Sequence, residues 1–107
     1  MRKVLAGLVG LGFLVSVSSG AYAFNCPVDF SEAEAAIAKA KTSMDAMPNG
    51  EKKGLVHTLI DDANMLLHSG KHNHEKPAAG AYDHARAIAK ARAAIGYAQA
   101  AEILARK

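Results

Sequence analysis

The chain has 107 residues, with 13 Lys+Arg against 10 Asp+Glu and one cysteine, enough for one small domain. A single cysteine excludes an internal disulfide, and the lack of a C-x-x-C-H run excludes covalent haem of the c type. Lys and Arg are scattered among acids rather than gathered in a stripe, so the formal charge of +3 leaves no footprint for DNA or RNA.

Arg2 and Lys3 precede an uncharged apolar run from Val4 to Val17, and Ala21-Tyr22-Ala23 has the form of an A-x-A cleavage site. This pattern predicts a secretory signal peptide over residues 1–23. An uncleaved anchor is the alternative, but the run is only 14 residues, against roughly 20 needed to span a bilayer. Cleavage after Ala23 leaves 84 residues in a periplasmic or secreted location, with no stable membrane insertion. It also removes Arg2 and Lys3, so the balance falls to 11 Lys+Arg against 10 Asp+Glu. Asn25, which is not a small residue, precedes Cys26 and argues against lipidation there. An odd cysteine in an exported chain reads as a free thiol, a mixed disulfide or a dimer link. A small buried hydrophobe is the simpler account.

Residues 24–30 read as an extended leader, and residues 31–107 as the helical domain. Ser31-Glu32-Ala33-Glu34 has the form of a capping box opening a first helix. Ala33, Ile37, Ala40, Met44 and Met47 then repeat at 4-3-4-3 spacing along one face, and Pro48-Asn49-Gly50 ends the helix. A second helix is predicted from about Glu51 to His68, with Val56, Leu59, Ile60, Ala63, Leu66 and Leu67 as its apolar face. Ser69-Gly70 stops it, and residues 69–76 read as a polar loop. Pro77 suits the first turn of a third, alanine-rich helix running to about Arg106, whose most apolar line is Ile88, Ala91, Ile95 and Ala98. Ala36–Lys41 echoes Ala87–Arg92, as a duplicated helix or a chance recurrence of a helical composition would.

No segment alternates with period two, and the connections are short. The expected fold is all-α, a small antiparallel three-helix bundle in up-down-up order. Its core is thin for want of large side chains, so a homodimer completing a larger bundle, or a bound metal, would add what the monomer lacks.

All five histidines lie between residues 57 and 84, and His68, His72 and His74 stand close together. Imidazole is largely neutral at pH 7 and is a common ligand for copper, nickel and zinc. In an antiparallel bundle the end of the second helix adjoins the start of the third. His68, His72, His74 and His84 are therefore the candidate metal ligands, with Glu75 or Asp83 as an oxygen donor. A solvated loop that happens to hold histidine is the competing account. His57, Asp61, Asn64 and His68 form a further line on the second helix, read as a solvated flank. Met44 and Met47 lie on the core stripe and read as packing rather than as a soft copper site, and Tyr82 and Tyr97 read as packing residues with their hydroxyls at the bundle edge. Asp61 and Asp62 are adjacent and diverge on a helix, Cys26 has no identifiable partner base, and no Gly-rich loop could cradle a nucleotide. An enzyme is therefore not expected.

Asp83-His84-Ala85-Arg86-Ala87-Ile88-Ala89-Lys90-Ala91 resembles the H-A-x-x-A-I-x-H-A repeat of the periplasmic small metal-binding protein family, short exported helical bundles that bind divalent metals, copper especially. The likeness spans residues 32–105 in general character and the motif in detail only at His84. Lys39 and Lys90 stand where that family has histidine, and it lacks the methionine stripe and the Cys26 leader. The resemblance implies metal binding and carries over His84 alone. The expected function is thus binding of a copper, nickel or zinc ion as buffer or carrier. The alternative is a structural or interaction module of the cell envelope that binds no metal.

Overall fold

The computed structural model describes residues 26–107; the expected signal peptide and the first two leader residues lie outside them. Three helices follow in order: α1 (Cys26–Asp45), α2 (Glu51–Glu75) and α3 (Ala81–Ala105). They pack on one another as a small all-α three-helix bundle, with no strand among the described residues. No described helix is long and apolar enough to cross a membrane.

Three element boundaries differ from expectation. Helix α3 begins at Ala81, so Pro77 lies in the connection rather than in the first turn of that helix, and α1 and α2 each differ at one end. Helix α1 is already formed at Cys26, the first described residue, so the expected leader is helical over residues 26–30 and Ser31 is not a helix cap. The cause is local. Pro27 lies in the first turn, where its missing amide costs no hydrogen bond, and Asp29 is a first-turn acid facing the positive end of the helix dipole. The extra turn is held from across the bundle, since Phe30 is buried and Asp29 pairs with Arg92 of α3 (Oδ1 to Nε 3.7 Å). Glu34 takes the Lys71 ammonium of α2 instead of closing a capping box.

Helix α2 runs through the predicted 69–76 loop as far as Glu75. Ser69-Gly70 is a weak helix segment by propensity, but packing overrides it. Gly70 is buried, and a β-carbon there would lie 3.0 Å from the Ala87 carbonyl oxygen, 3.3 Å from Lys90 Cβ and 3.4 Å from Phe30 Cε1. The missing side chain lets α3 approach α2 directly. Beside it, the Lys90 ammonium donates to Ser69 Oγ and Asn73 Oδ1, both at 2.7 Å, which satisfies the buried Asn73 carbonyl. The true connection is short and ends at Gly80, whose φ of 61° is left-handed and suits glycine.

Ala33, Ile37 and Ala40 of α1 are buried, with Met44 and Met47 packed at the core edge. Val56, Ile60, Ala63 and Leu67 are the buried residues of the α2 face, flanked by the partly buried Leu59 and Leu66. In α3 the buried line is Ala87, Ala91, Ala94, Ala98 and Ala101. The line predicted through Ile88 and Ile95 is rotated from it, and both isoleucines sit partly buried at the margins. The central alanines lie where α3 packs on both other helices, and their small side chains suit a close approach. Tyr82 and Tyr97 are exposed rather than packed, and Tyr82 lies under the Arg86 guanidinium at 5.6 Å. At the far end Glu102 accepts from the Ser43 hydroxyl at 3.4 Å and pairs with Lys39 at 3.7 Å, tying α1 to α3.

Candidate metal centre

Up-down-up order brings the start of α1, the end of α2 and the start of α3 to one tip of the bundle. Each of the three contributes one side chain to a common group of donors there. Cys26, His74 and His84 each present a donor atom, and these atoms all lie within 4.8 Å of one another. A tetrahedral ion with ordinary metal–sulfur and metal–nitrogen bonds needs its donors about 3.4–3.6 Å apart. Small side-chain rotations toward a common centre would close the difference.

The surroundings hold the donors in place. Cys26 is fully buried, and its thiol donates to the His84 carbonyl oxygen with S···O 3.8 Å. The imidazoles of His74 and His84 meet edge to face, with centroids 5.5 Å apart and planes at 68°. Phe30 also meets His74 edge to face, with centroids 5.7 Å apart and planes at 76°. His74 Nδ1 is buried and has no hydrogen-bond partner. Leaving such an atom unsatisfied costs about 1–3 kcal/mol, a cost that coordination would offset. The donor set, one thiolate and two imidazoles, suits Zn(II) and copper and leaves a coordination position open.

Burial pushes the Cys26 thiol above its usual pKa, and the Asp29 carboxylate adds to this, while the backbone amide of Cys26 partly opposes it. The thiol is therefore protonated at neutral pH, and a metal must displace that proton. Asp83 does not serve as an oxygen donor. It accepts from the Ala79 amide at 2.8 Å and pairs with Arg86 at 3.3 Å. The Ala79 amide, supported by Arg86, holds its carboxyl below the usual range against the opposing effect of burial. Glu75 is exposed and outside the donor group.

Of the four histidines picked out in the sequence, the structure brings His74 and His84 together and leaves His68 and His72 outside. Both of the latter are exposed on α2. The reason is the longer helix: His72 and His74 are two residues apart, which on an α-helix turns them about 200° from one another. Cys26 was missed because residues 24–30 read as a leader. Pro27 followed by Asp29 was the available signal, since it marks a helix start at Cys26 and hence at the histidine tip. The His57 flank is as expected, with His57 Nδ1 3.3 Å from Asp61 Oδ2 and both side chains exposed. No protein-family model matches the chain, and no curated protein or solved structure is detectably similar to it.

Proposed function

We propose that this protein is an exported carrier or buffer for a transition-metal ion, Zn(II) or copper, bound by Cys26, His74 and His84. The observation that carries the reading is the meeting of three donor side chains from three separate helix ends; one of them, His74, also has a buried Nδ1 with no hydrogen-bond partner. A thiolate and two neutral imidazoles supply affinity for soft and borderline ions. Among the described residues the donor group is one thiol and two imidazoles, a set suited to holding and releasing an ion. The export signal read in residues 1–23 would put this site where a cell meets incoming metal.

The test is a competitive Zn(II) titration of untagged protein lacking residues 1–23, with elemental analysis of the purified chain. The reading expects one tightly held ion per chain and release of a proton from Cys26 on binding. Unchanged tight binding by both Cys26→Ser and His74→Ala would overturn it. A second reading, a structural module that pairs with another copy of itself, draws on exposed Met65 and Tyr97, which flank partly buried Leu66 on the α2–α3 side. Sedimentation of the metal-free chain separates the two, since this alternative requires a stable dimer without metal.

A further inference from the structure

The two histidines left outside the inner centre have a geometry of their own. His68 and His72 are four residues apart on a continuous helix, so their side chains sit one above the other on a single face. Both are exposed, and both line one shallow hollow together with Asn64, Met65 and Ser69. Side chains at this spacing do meet on α2: four residues apart, His57 and Asp61 approach to 3.3 Å. The Lys71 ammonium, which shares a neighbouring hollow with His68, is tied to Glu34 of α1.

We infer that His68 and His72 form a second metal site, an exposed bis-imidazole chelate for a divalent ion that accepts tetragonal nitrogen coordination, Cu(II) or Ni(II). Two imidazoles one helical turn apart supply adjacent coordination positions, and open solvent fills the others with water. Such a donor set suits Cu(II) and Ni(II), whereas the thiolate of the inner centre favours softer ions. The two sites face different sides of α2, so one ion cannot use both. The outer site consists of side chains on one helix and needs no movement of the bundle to load. It does not depend on the inner centre being a metal site.

The probe is Cu(II) alone, added to chain lacking residues 1–23 and carrying Cys26→Ser, which removes the thiol that would otherwise reduce the ion. Electron paramagnetic resonance and calorimetry are read on this chain, on one further carrying His68→Ala and His72→Ala, and on one further carrying His74→Ala. The inference expects an axial Cu(II) signal with coupling to two imidazole nitrogens. That signal and one equivalent of binding are lost with the His68/His72 pair and kept with His74→Ala. The substituted histidines are exposed, and circular dichroism checks that the helices persist. Survival of the two-nitrogen signal without His68 and His72, its loss with His74→Ala, or its absence from the starting chain would overturn the inference.

Discussion

Three described glycines lie inside helices, Gly54, Gly70 and Gly96, and the structure assigns them opposite signs on replacement by alanine. In an open helix interior, glycine to alanine stabilises by about 0.8–1.0 kcal/mol, because alanine loses less backbone freedom on folding. Gly54 in α2 and Gly96 in α3 have nothing within 4 Å of a new β-carbon, so each should show that gain, a little smaller for Gly54 near its helix start. Gly70 is equally helical but faces the Ala87 carbonyl oxygen at 3.0 Å. That oxygen belongs to the α3 backbone and cannot swing away as a side-chain end would. Forcing a methyl into such a contact costs typically about 1–3 kcal/mol, which outweighs the helix gain and leaves a net loss of about 1 kcal/mol. For a domain of this size, 1 kcal/mol moves the melting temperature by roughly 4–8 °C. Thermal melts of the metal-free chain should therefore rise for Gly54→Ala and Gly96→Ala and fall for Gly70→Ala. Because Gly70 lies one turn before His74, Gly70→Ala should also weaken metal binding at the inner centre, whereas Gly96→Ala should not. A rise in melting temperature for Gly70→Ala comparable to the other two would refute the close α2–α3 packing.

Gly80→Ala should lower stability by about 1–2 kcal/mol, since it places a β-carbon on a left-handed backbone, and chemical denaturation measures it. Lys90→Ala should cost about 1–3 kcal/mol by stripping the buried Asn73 carbonyl of its donor, and a melt equal to the parent would show that the network adds nothing. Asp83 has a lowered pKa, so its contribution is present above the ordinary carboxylate range and is lost as pH falls through its folded value, below about pH 4. Melts against pH should show that acid limb diminished in Asp83→Asn. Cys26 has a raised pKa, so its contribution is present below about pH 8.5 and fades as pH rises through its folded value. A thiol reagent at pH 8 should react slowly with the native chain, faster in denaturant, and slower still after metal loading.

What could be read from the sequence follows from how local each signal is. The Pro48-Asn49-Gly50 break and the 4-3-4 lines of Ile37, Val56 and Ile60 are short-range, and they located the first turn and two of the three buried faces. The α3 face was misplaced because isoleucine outweighs alanine in any apolar tally, while the buried line of α3 is made of alanines. Ser69-Gly70 looks like a stop, and only the neighbouring α3 backbone reveals it as a contact. The site was half legible. His74 and His84 followed from antiparallel order alone. The splitting of His68 and His72 from them depended on α2 continuing past Gly70, and the inclusion of Cys26 depended on one extra turn at the start of α1. Lys90 has a structural post beside Asn73.

The central claim is that one ion is held by a thiolate and two imidazoles at the three-helix tip. Co(II) substitution tests it most directly, in a chain lacking residues 1–23 and carrying His68→Ala and His72→Ala so that the outer pair is silent. The account predicts one equivalent of Co(II) with a thiolate-to-cobalt charge-transfer band, displaced by Zn(II). The band should vanish in Cys26→Ser, and its visible spectrum should change in His74→Ala. Co(II) bound with no thiolate band, or not bound at all, would contradict it.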